Sequence, residues 1–454
     1  MRFIQSELYQ IIFVNLSLMW WLILFLIVLA FTIAYRSRHK PKEQSCAIVV
    51  LGDFGHSPRM QQHALSLLSR GYQVNVVSYL ESSLHASLAQ NKALTILKLS
   101  SIPRWLSSIS SGLFYFVVKT IYEGIDLMWT LYHLPHISFL IVQNPPAVPA
   151  LLLTALYSRL VNAKLVFDWH NYGYTILAMK TSGIILRLYT YYERFMARFS
   201  HINVCVSNAM HEDLASNWLV DAKVLYDRPI VDRMVELSRA DRSEFLHSLE
   251  ISPLPKFSNS DWTDYPVLVS STSWTPDEDF SVLFLALRKY DEAVSLQPEK
   301  FLPPISCFIT GKGPEKEKYM SRVKDEPFKN VYITSSWLKA NDYPKMLASA
   351  DLGICLHTSS SGVDLPMKVV DMFGVKLPVC AVNYKCISEL VTNGVDGLLF
   401  TDSNQLFEHL VSLLSCFPTN HILESLKSGA ALASQAESWD SQWERVLWPL
   451  LIAS

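Results

Sequence analysis

The stretch Ala350–Gly374, ADLGICLHTSSSGVDLPMKVVDMFG, constrains this chain more than any other part of it. Leu352-Gly353-Ile354-Cys355-Leu356 has the unbroken apolar character of a strand buried on both faces. It runs into a loop of small residues, Thr358 to Gly362, and Leu365-Pro366-Met367-Lys368 then opens a helix. Pro366 falls near the first turn, where a missing N–H costs nothing. Strand, small loop and helix N-terminus is how an α/β sheet builds an anion site, because free N–H groups and the positive helix end point beyond the strand. Lys368 adds a full charge suited to a diphosphate. Asp371, one turn later, suits a pair of ribose hydroxyls, although the two residues could equally form an intrahelical ion pair.

At 454 residues the chain has length for two or three domains. Its net charge of −2 leaves no basic footprint for nucleic acid. Cys46, Cys205, Cys307, Cys355, Cys380, Cys386 and Cys416 lie mostly inside apolar runs, with no C-x-x-C pair among them. That argues against zinc and disulfide frameworks and suits a reducing compartment.

Residues 8–35 carry no charge, and Leu18–Tyr35 is almost continuously apolar. Such a run spans a bilayer, and residues 11–35 are expected to form a transmembrane signal-anchor. It ends in Arg36-Ser37-Arg38-His39-Lys40-Pro41-Lys42 instead of a small-residue cleavage site, so the remainder of the chain is expected in the cytosol.

Beyond the anchor the sequence alternates strands and helices. Cys46–Leu51 is a strand that feeds Gly52-Asp53-Phe54-Gly55-His56-Ser57-Pro58, a tight turn at a strand's carboxyl end, where open sheets bind ligands. The G-x-G-x-x-G dinucleotide fingerprint is not there. Residues 101–160 are apolar and aromatic, fit for helices flanking a sheet or for a surface lying on the membrane. Lys164–Phe167 is a strand delivering Asp168-Trp169-His170-Asn171-Tyr172, polar groups placed for acid–base chemistry or for satisfying buried backbone. Pattern is lost over 237–265, read as an interdomain connection, and resumes at Val267. Asp277-Glu278-Asp279 matches a D-x-D metal motif, but directly after Thr275 and Pro276 it reads as helix capping. Ile305–Thr310 runs into Gly311-Lys312-Gly313, a loop whose lysine could reach a phosphate. Trp439, Trp443 and Leu447 share a face of a C-terminal helix.

The expected fold is α/β, with an N-terminal Rossmann-like domain (45–236), a second one (266–430) and a helix (431–454) packing back across the cleft. One half would take a nucleotide and the other an acceptor.

The motifs GDFGHSPRM (52–60), QNPP (143–146), LVFDWHNYGY (165–174), CVSNAM (205–210), SSTSWTPDEDF (270–280) and ITGKGP (309–314) are followed by 350–374 and LPVCAV (377–382). In this order they resemble the chitobiosyldiphosphodolichol β-mannosyltransferases, glycosyltransferase family 33 of the GT-B superfamily, over nearly the whole chain. The resemblance implies transfer of mannose from GDP-mannose to dolichyl-diphosphate chitobiose at the cytosolic face of the endoplasmic reticulum, with neither cofactor nor metal. Partners would be that membrane, with neighbouring transferases or a second copy as further candidates.

Carried onto this sequence, the resemblance implies that GDP-mannose meets Ser273, Lys312, Gly313, Gly362, Asp364, Leu365, Pro366, Met367, Lys368 and Asp371. Gly52, Asp53, Gly55, Asn171 and Tyr172 would line the acceptor side. An inverting enzyme needs a general base, for which Asp168, His170 and His56 are the catalytic candidates, followed by Asp53. Retaining GT-B enzymes often carry a Glu where Val363 stands, and its absence fits inversion. A transferase using a UDP-sugar and an inactive membrane scaffold are the other readings.

Overall fold

The computed structural model describes residues 44–103, 113–230, 235–249, 265–296, 301–435 and 437–453. The anchor expected at 11–35 lies outside these residues. Among the described residues, no helix is long and apolar enough to cross a membrane.

Two parallel sheets carry the fold, as the alternating pattern requires. The first comprises β1 (Ser45–Asp53), β2 (Gln73–Tyr79), β3 (Leu94–Lys98), β4 (Phe139–Asn144), β5 (Lys164–Trp169), β6 (Ile202–Cys205) and β7 (Lys223–Val224), in the order β3-β2-β1-β4-β5-β6-β7. The second comprises β8 (Val267–Ser271), β9 (Ile305–Thr310), β10 (Val331–Ser336), β11 (Leu352–Cys355), β12 (Val379–Val382) and β13 (Gly397–Phe400), in the order β10-β9-β8-β11-β12-β13. The central strands are apolar on both faces because helices cover both; Ile48, Val49, Leu268 and Ile354 have no exposed surface.

In each sheet the strand order reverses once, between β1 and β4 and between β8 and β11. Connections leave in opposite directions on either side of such a point, which opens a crevice beyond the carboxyl ends. A bulge moves the β1 register from Val50↔Ser78 to Asp53↔Tyr79 and so re-aims Asp53 at the rim. The helices used below are α1 (Pro58–Ser69), α2 (Leu113–Tyr132), α3 (Ala150–Val161), α4 (Ile184–Met196), α5 (Arg239–Ser248), α6 (Phe280–Leu296), α7 (Met367–Gly374) and α8 (Trp439–Val446).

By compactness the chain forms one unit running to Asp168 and including Tyr192–Ile202, and another made of Trp169–Tyr191 and Asn203 onward. The stretch 237–265, expected to lack pattern, contains α5. Its capping box joins Ser238 and Asp241, and Arg242 bonds Asp351 at 2.7 Å.

Candidate active site

In the second unit, the loops after β8 and β11 meet at the switch point. Glu278, 1 % exposed, accepts from Thr272 Oγ1 at 2.6 Å, from the Ser273 N–H at 2.8 Å and from Lys368 Nζ. The intrahelical Lys368–Asp371 ion pair that the sequence also allowed is therefore not the arrangement adopted by the lysine. Asp371 Oδ2 instead accepts from Tyr343 Oη at 3.4 Å, and that hydroxyl also lies 3.1 Å from Ser271 Oγ.

The Asp277–Asp279 run separates into three roles, which corrects the expectation that all of it caps a helix. Asp279 does cap α6, accepting from the Ser281 N–H at 2.9 Å. Glu278 turns inward to Lys368. Asp277 Oδ2 lies 3.1 Å from His357 Nδ1, and His357 Nε2 lies 3.5 Å from Asp364 Oδ2. Burial pulls the His357 pKa down, but the two carboxylates more than offset it and bring it to about 9. The ring is therefore a cation at neutral pH, at the carboxyl end of β11.

Gly311 and Gly313 are where this site needs glycine. A Cβ on Gly311 would fall 1.8 Å from the Thr272 carbonyl oxygen, and one on Gly313 1.7 Å from that of Ser273. The two loops thus touch backbone to backbone, and Lys312 is turned outward, its Nζ 4.7 Å from the centre of the Trp337 ring. Ser273 is exposed, Gly362 and Met367 are half-buried, and Leu365 and Pro366 are buried at the entrance to α7. No side chain caps α7, so its first turn presents N–H groups and the positive dipole end.

The acceptor-side residues of this unit take different positions. Asn171 Nδ2 donates to Ser360 Oγ at 3.3 Å, which ties it to the small-residue loop. Tyr172 is buried, donates to Asp213 Oδ2 at 2.8 Å and stacks on Trp218 at 4.6 Å, so its hydroxyl is a packing group and not an acceptor contact. Burial, followed by Asp213, drives its pKa far up. His170 is half-buried.

In the first unit, Asp168 is not free to act as a base. Its side chain has no exposed surface; Arg59 forks onto it with Nε and a terminal nitrogen, both at 2.8 Å, and His63 Nε2 stands 3.0 Å from Oδ2. A carboxylate so engaged holds α1 against β5 instead of receiving a substrate proton. His56 is different. Its side chain is 63 % exposed, with Nδ1 2.9 Å from Asp53 Oδ2 and 3.0 Å from Ser82 Oγ. Burial raises the Asp53 pKa, but bonds from Ser82 and from the N–H groups of Glu81, Ser82 and Gly55 outweigh it and keep the group a carboxylate. Gly55 is required because a Cβ there would lie 2.6 Å from the Ser82 carbonyl oxygen. Gly52 is half-buried in the same turn.

A family model described as Glycosyl transferases group 1 matches residues 285–416, which include β11 and α7. The Mus musculus chitobiosyldiphosphodolichol beta-mannosyltransferase is 38 % identical over 462 residues, covering 95 % of this chain and 94 % of its own. The chain belongs to the chitobiosyldiphosphodolichol β-mannosyltransferase family. A relative from Arabidopsis thaliana, UDP-glycosyltransferase TURAN, is 38 % identical over 90 % of this chain and 97 % of its own. Among solved structures, Anabaena HepE in complex with UDP and glucose superposes with a TM-score of 0.61 at 17 % identity, covering 88 % of this chain and 97 % of that one. Its likeness establishes the GT-B fold.

Within this glycosyltransferase, four site groups escape sequence reading: Arg59, His63, His357 and the pairing of Glu278 with Lys368. Arg59 and His63 did carry a signal, being four apart on one helix face. His357 lay in plain view inside the most informative stretch, one residue past its strand.

Proposed function

We propose that the enzyme transfers mannose from GDP-mannose to the chitobiose of a dolichyl diphosphate, making a β1,4 bond with inversion. Family membership over nine-tenths of both chains is the observation that carries this reading. The acceptor hydroxyl attacks the anomeric carbon of mannose, the bond from that carbon to the diphosphate breaks, and GDP leaves with its electron pair.

The α7 N-terminus and Lys368 take up the negative charge that develops on the diphosphate, with Lys312 supplying a second cation from the facing loop. Asp371 receives ribose hydroxyls. His357, a cation between Asp277 and Asp364, fixes the loop that presents the sugar. His56 is the general base: the Asp53 carboxylate beside Nδ1 stabilises the imidazolium that forms when Nε2 accepts the acceptor's proton. No divalent ion is needed when helix dipole and lysines compensate the leaving group. The uncharged run 8–35 anchors the chain in the endoplasmic reticulum membrane, with the catalytic units in the cytosol.

A transfer assay tests this on detergent-solubilised protein given GDP-mannose or UDP-GlcNAc, a chitobiosyl-diphosphate polyprenol and EDTA. A product made from GDP-mannose and cleaved by β-mannosidase is expected. Transfer from the UDP-sugar alone overturns the donor, and loss of activity only with EDTA overturns the metal-free mechanism.

A further inference from the structure

The face of α7 that carries Lys368 and Asp371 is held by partners from two other loops. These two residues lie three apart on one side of the helix, while Val369, Val370, Met372 and Phe373 are buried. Lys368 is met by Glu278, from the loop after β8. Asp371 is met by Tyr343, from the segment after β10, a residue to which the reaction so far assigns nothing.

Tyr343 opens the short helix Tyr343–Ala348. Pro344 lies in its first turn, where no N–H bond is lost, and the Met346 N–H donates to the Asp342 carbonyl at 2.9 Å. Met346 and Leu347 are buried in one core cluster with Val369, Met372 and Phe373 of α7. Close packing of that kind fixes the short helix against α7, so the tyrosine at its start has a set place. There its hydroxyl stands 3.1 Å from Ser271 Oγ, at the carboxyl end of β8, and donates to Asp371 Oδ2 at 3.4 Å. A phenol has one proton, so with Tyr343 donating to the carboxylate Ser271 is the donor to Tyr343. The three groups form one directed chain in which each bond polarises the next. Burial, followed by the Asp371 charge, holds the Tyr343 pKa well above the ordinary tyrosine range, and the hydroxyl keeps its proton to donate.

We propose that Tyr343 is a positioning residue of the donor site, its hydroxyl turning the Asp371 carboxylate to receive the 2′- and 3′-hydroxyls of the donor's ribose. This role rests on Asp371 being the ribose ligand, as proposed. The last torsion of an aspartate side chain is broad and roughly two-fold, so a carboxylate held only at its Cβ turns readily. Its acceptor directions are fixed relative to one another, and engaging one of them on Oδ2 sets the rest. Ribose hydroxyls are neutral donors that water satisfies as well as a carboxylate does. The gain on binding therefore comes from an acceptor that is ordered before the nucleotide arrives. Ser271 and Tyr343 supply that order from two elements outside α7, and the site becomes selective against nucleotides that lack the ribose hydroxyls.

Calorimetry on the detergent-solubilised full chain, with GDP and with 2′,3′-dideoxy-GDP, tests this. Wild type is expected to bind GDP at least about tenfold more tightly than the dideoxy nucleotide. Tyr343→Phe keeps the ring and should weaken GDP about five- to tenfold while leaving the dideoxy nucleotide unchanged. KM for GDP-mannose should rise by the same factor, with a smaller fall in kcat. Ser271→Ala, which leaves the tyrosine in place, should show the same selective loss at about two- to threefold. In an Asp371→Ala chain, which should no longer distinguish the two nucleotides, Tyr343→Phe should add nothing. A tyrosine with a purely structural role would weaken both nucleotides alike and add its effect to that of Asp371→Ala, and this result overturns the proposal. Unchanged GDP affinity in Tyr343→Phe, beside an Asp371→Ala chain that has lost its preference, also overturns it and leaves the ribose contact standing. A preference for GDP that survives in Asp371→Ala overturns the ribose contact itself, and the role of Tyr343 with it.

Discussion

Lys368 at the head of α7 rests on the carboxylate of Glu278, a side chain 1 % exposed in the loop after β8. The pair holds the lysine in place, and the same carboxylate also braces Thr272 and Ser273. Lys368→Ala is therefore not structurally silent. It should lower kcat/KM at least about a hundredfold and also destabilise the fold by about 2 kcal/mol, because a buried carboxylate is left without its cation. Adding Glu278→Gln should restore the melting temperature but not transfer. A single Lys368→Ala variant with unchanged melting and near-normal activity would show that the phosphate site is elsewhere.

Exposed His56 and the largely covered Asp53 stand side by side in the first unit, and their substitution should separate chemistry from donor binding. His56→Asn is expected to reduce kcat by about 10²- to 10⁴-fold while GDP binds with unchanged affinity in calorimetry. Asp53→Asn should cost less, because the imidazole remains and only its orientation is lost. Equal GDP affinity with undiminished kcat in His56→Asn would remove the histidine from the reaction.

Local pattern made the β11–α7 strand–loop–helix unit legible, since the apolar strand, the small loop and the helix start are contiguous. Partners brought together by sheet pairing were not. Glu278 reaches Lys368 because β8 lies beside β11, with Leu268 facing Leu352, and nothing within either segment announces that neighbour. The polar character of α1 conceals its burial for a related reason. Its Arg59, Gln61, Gln62 and His63 are polar yet buried: Arg59 and His63 bond Asp168, and Gln61 donates to the Phe54 and Gly55 carbonyls. Helix α5 was hidden by composition. Of its residues only Phe245 and Leu246 are buried, too few to show a period, and the capping box at Ser238 was the readable sign.

Asp168 should prove a stability residue. Replacing it by Asn leaves Arg59 and His63 without their shared counter-charge in a region closed to water, which should destabilise the fold by about 3–5 kcal/mol. Urea unfolding of the wild-type and Asp168→Asn chains measures this. A catalytic base would behave in the opposite way, with unchanged unfolding and loss of kcat alone.

His357 makes stability depend on pH in an alkaline window. Its ordinary pKa is 6.5, and in the fold Asp277 and Asp364 outweigh burial to raise it to about 9. A raised pKa means that the folded chain holds the proton more tightly than the unfolded one. The resulting stabilisation is complete below pH 6.5 and disappears as pH climbs through about 9. Asp277, whose carboxyl the His357 hydrogen bond holds below its usual range, contributes in the other direction, its share being lost only in acid. The His357 share should be on the order of 2 kcal/mol, given the partial exposure of the ring. Melting temperatures of wild type should therefore fall between pH 6.5 and 9 more steeply than those of His357→Asn. Parallel curves would mean that the ring is neutral in the fold and that the Asp277–His357–Asp364 cluster is held by dipoles instead of charge.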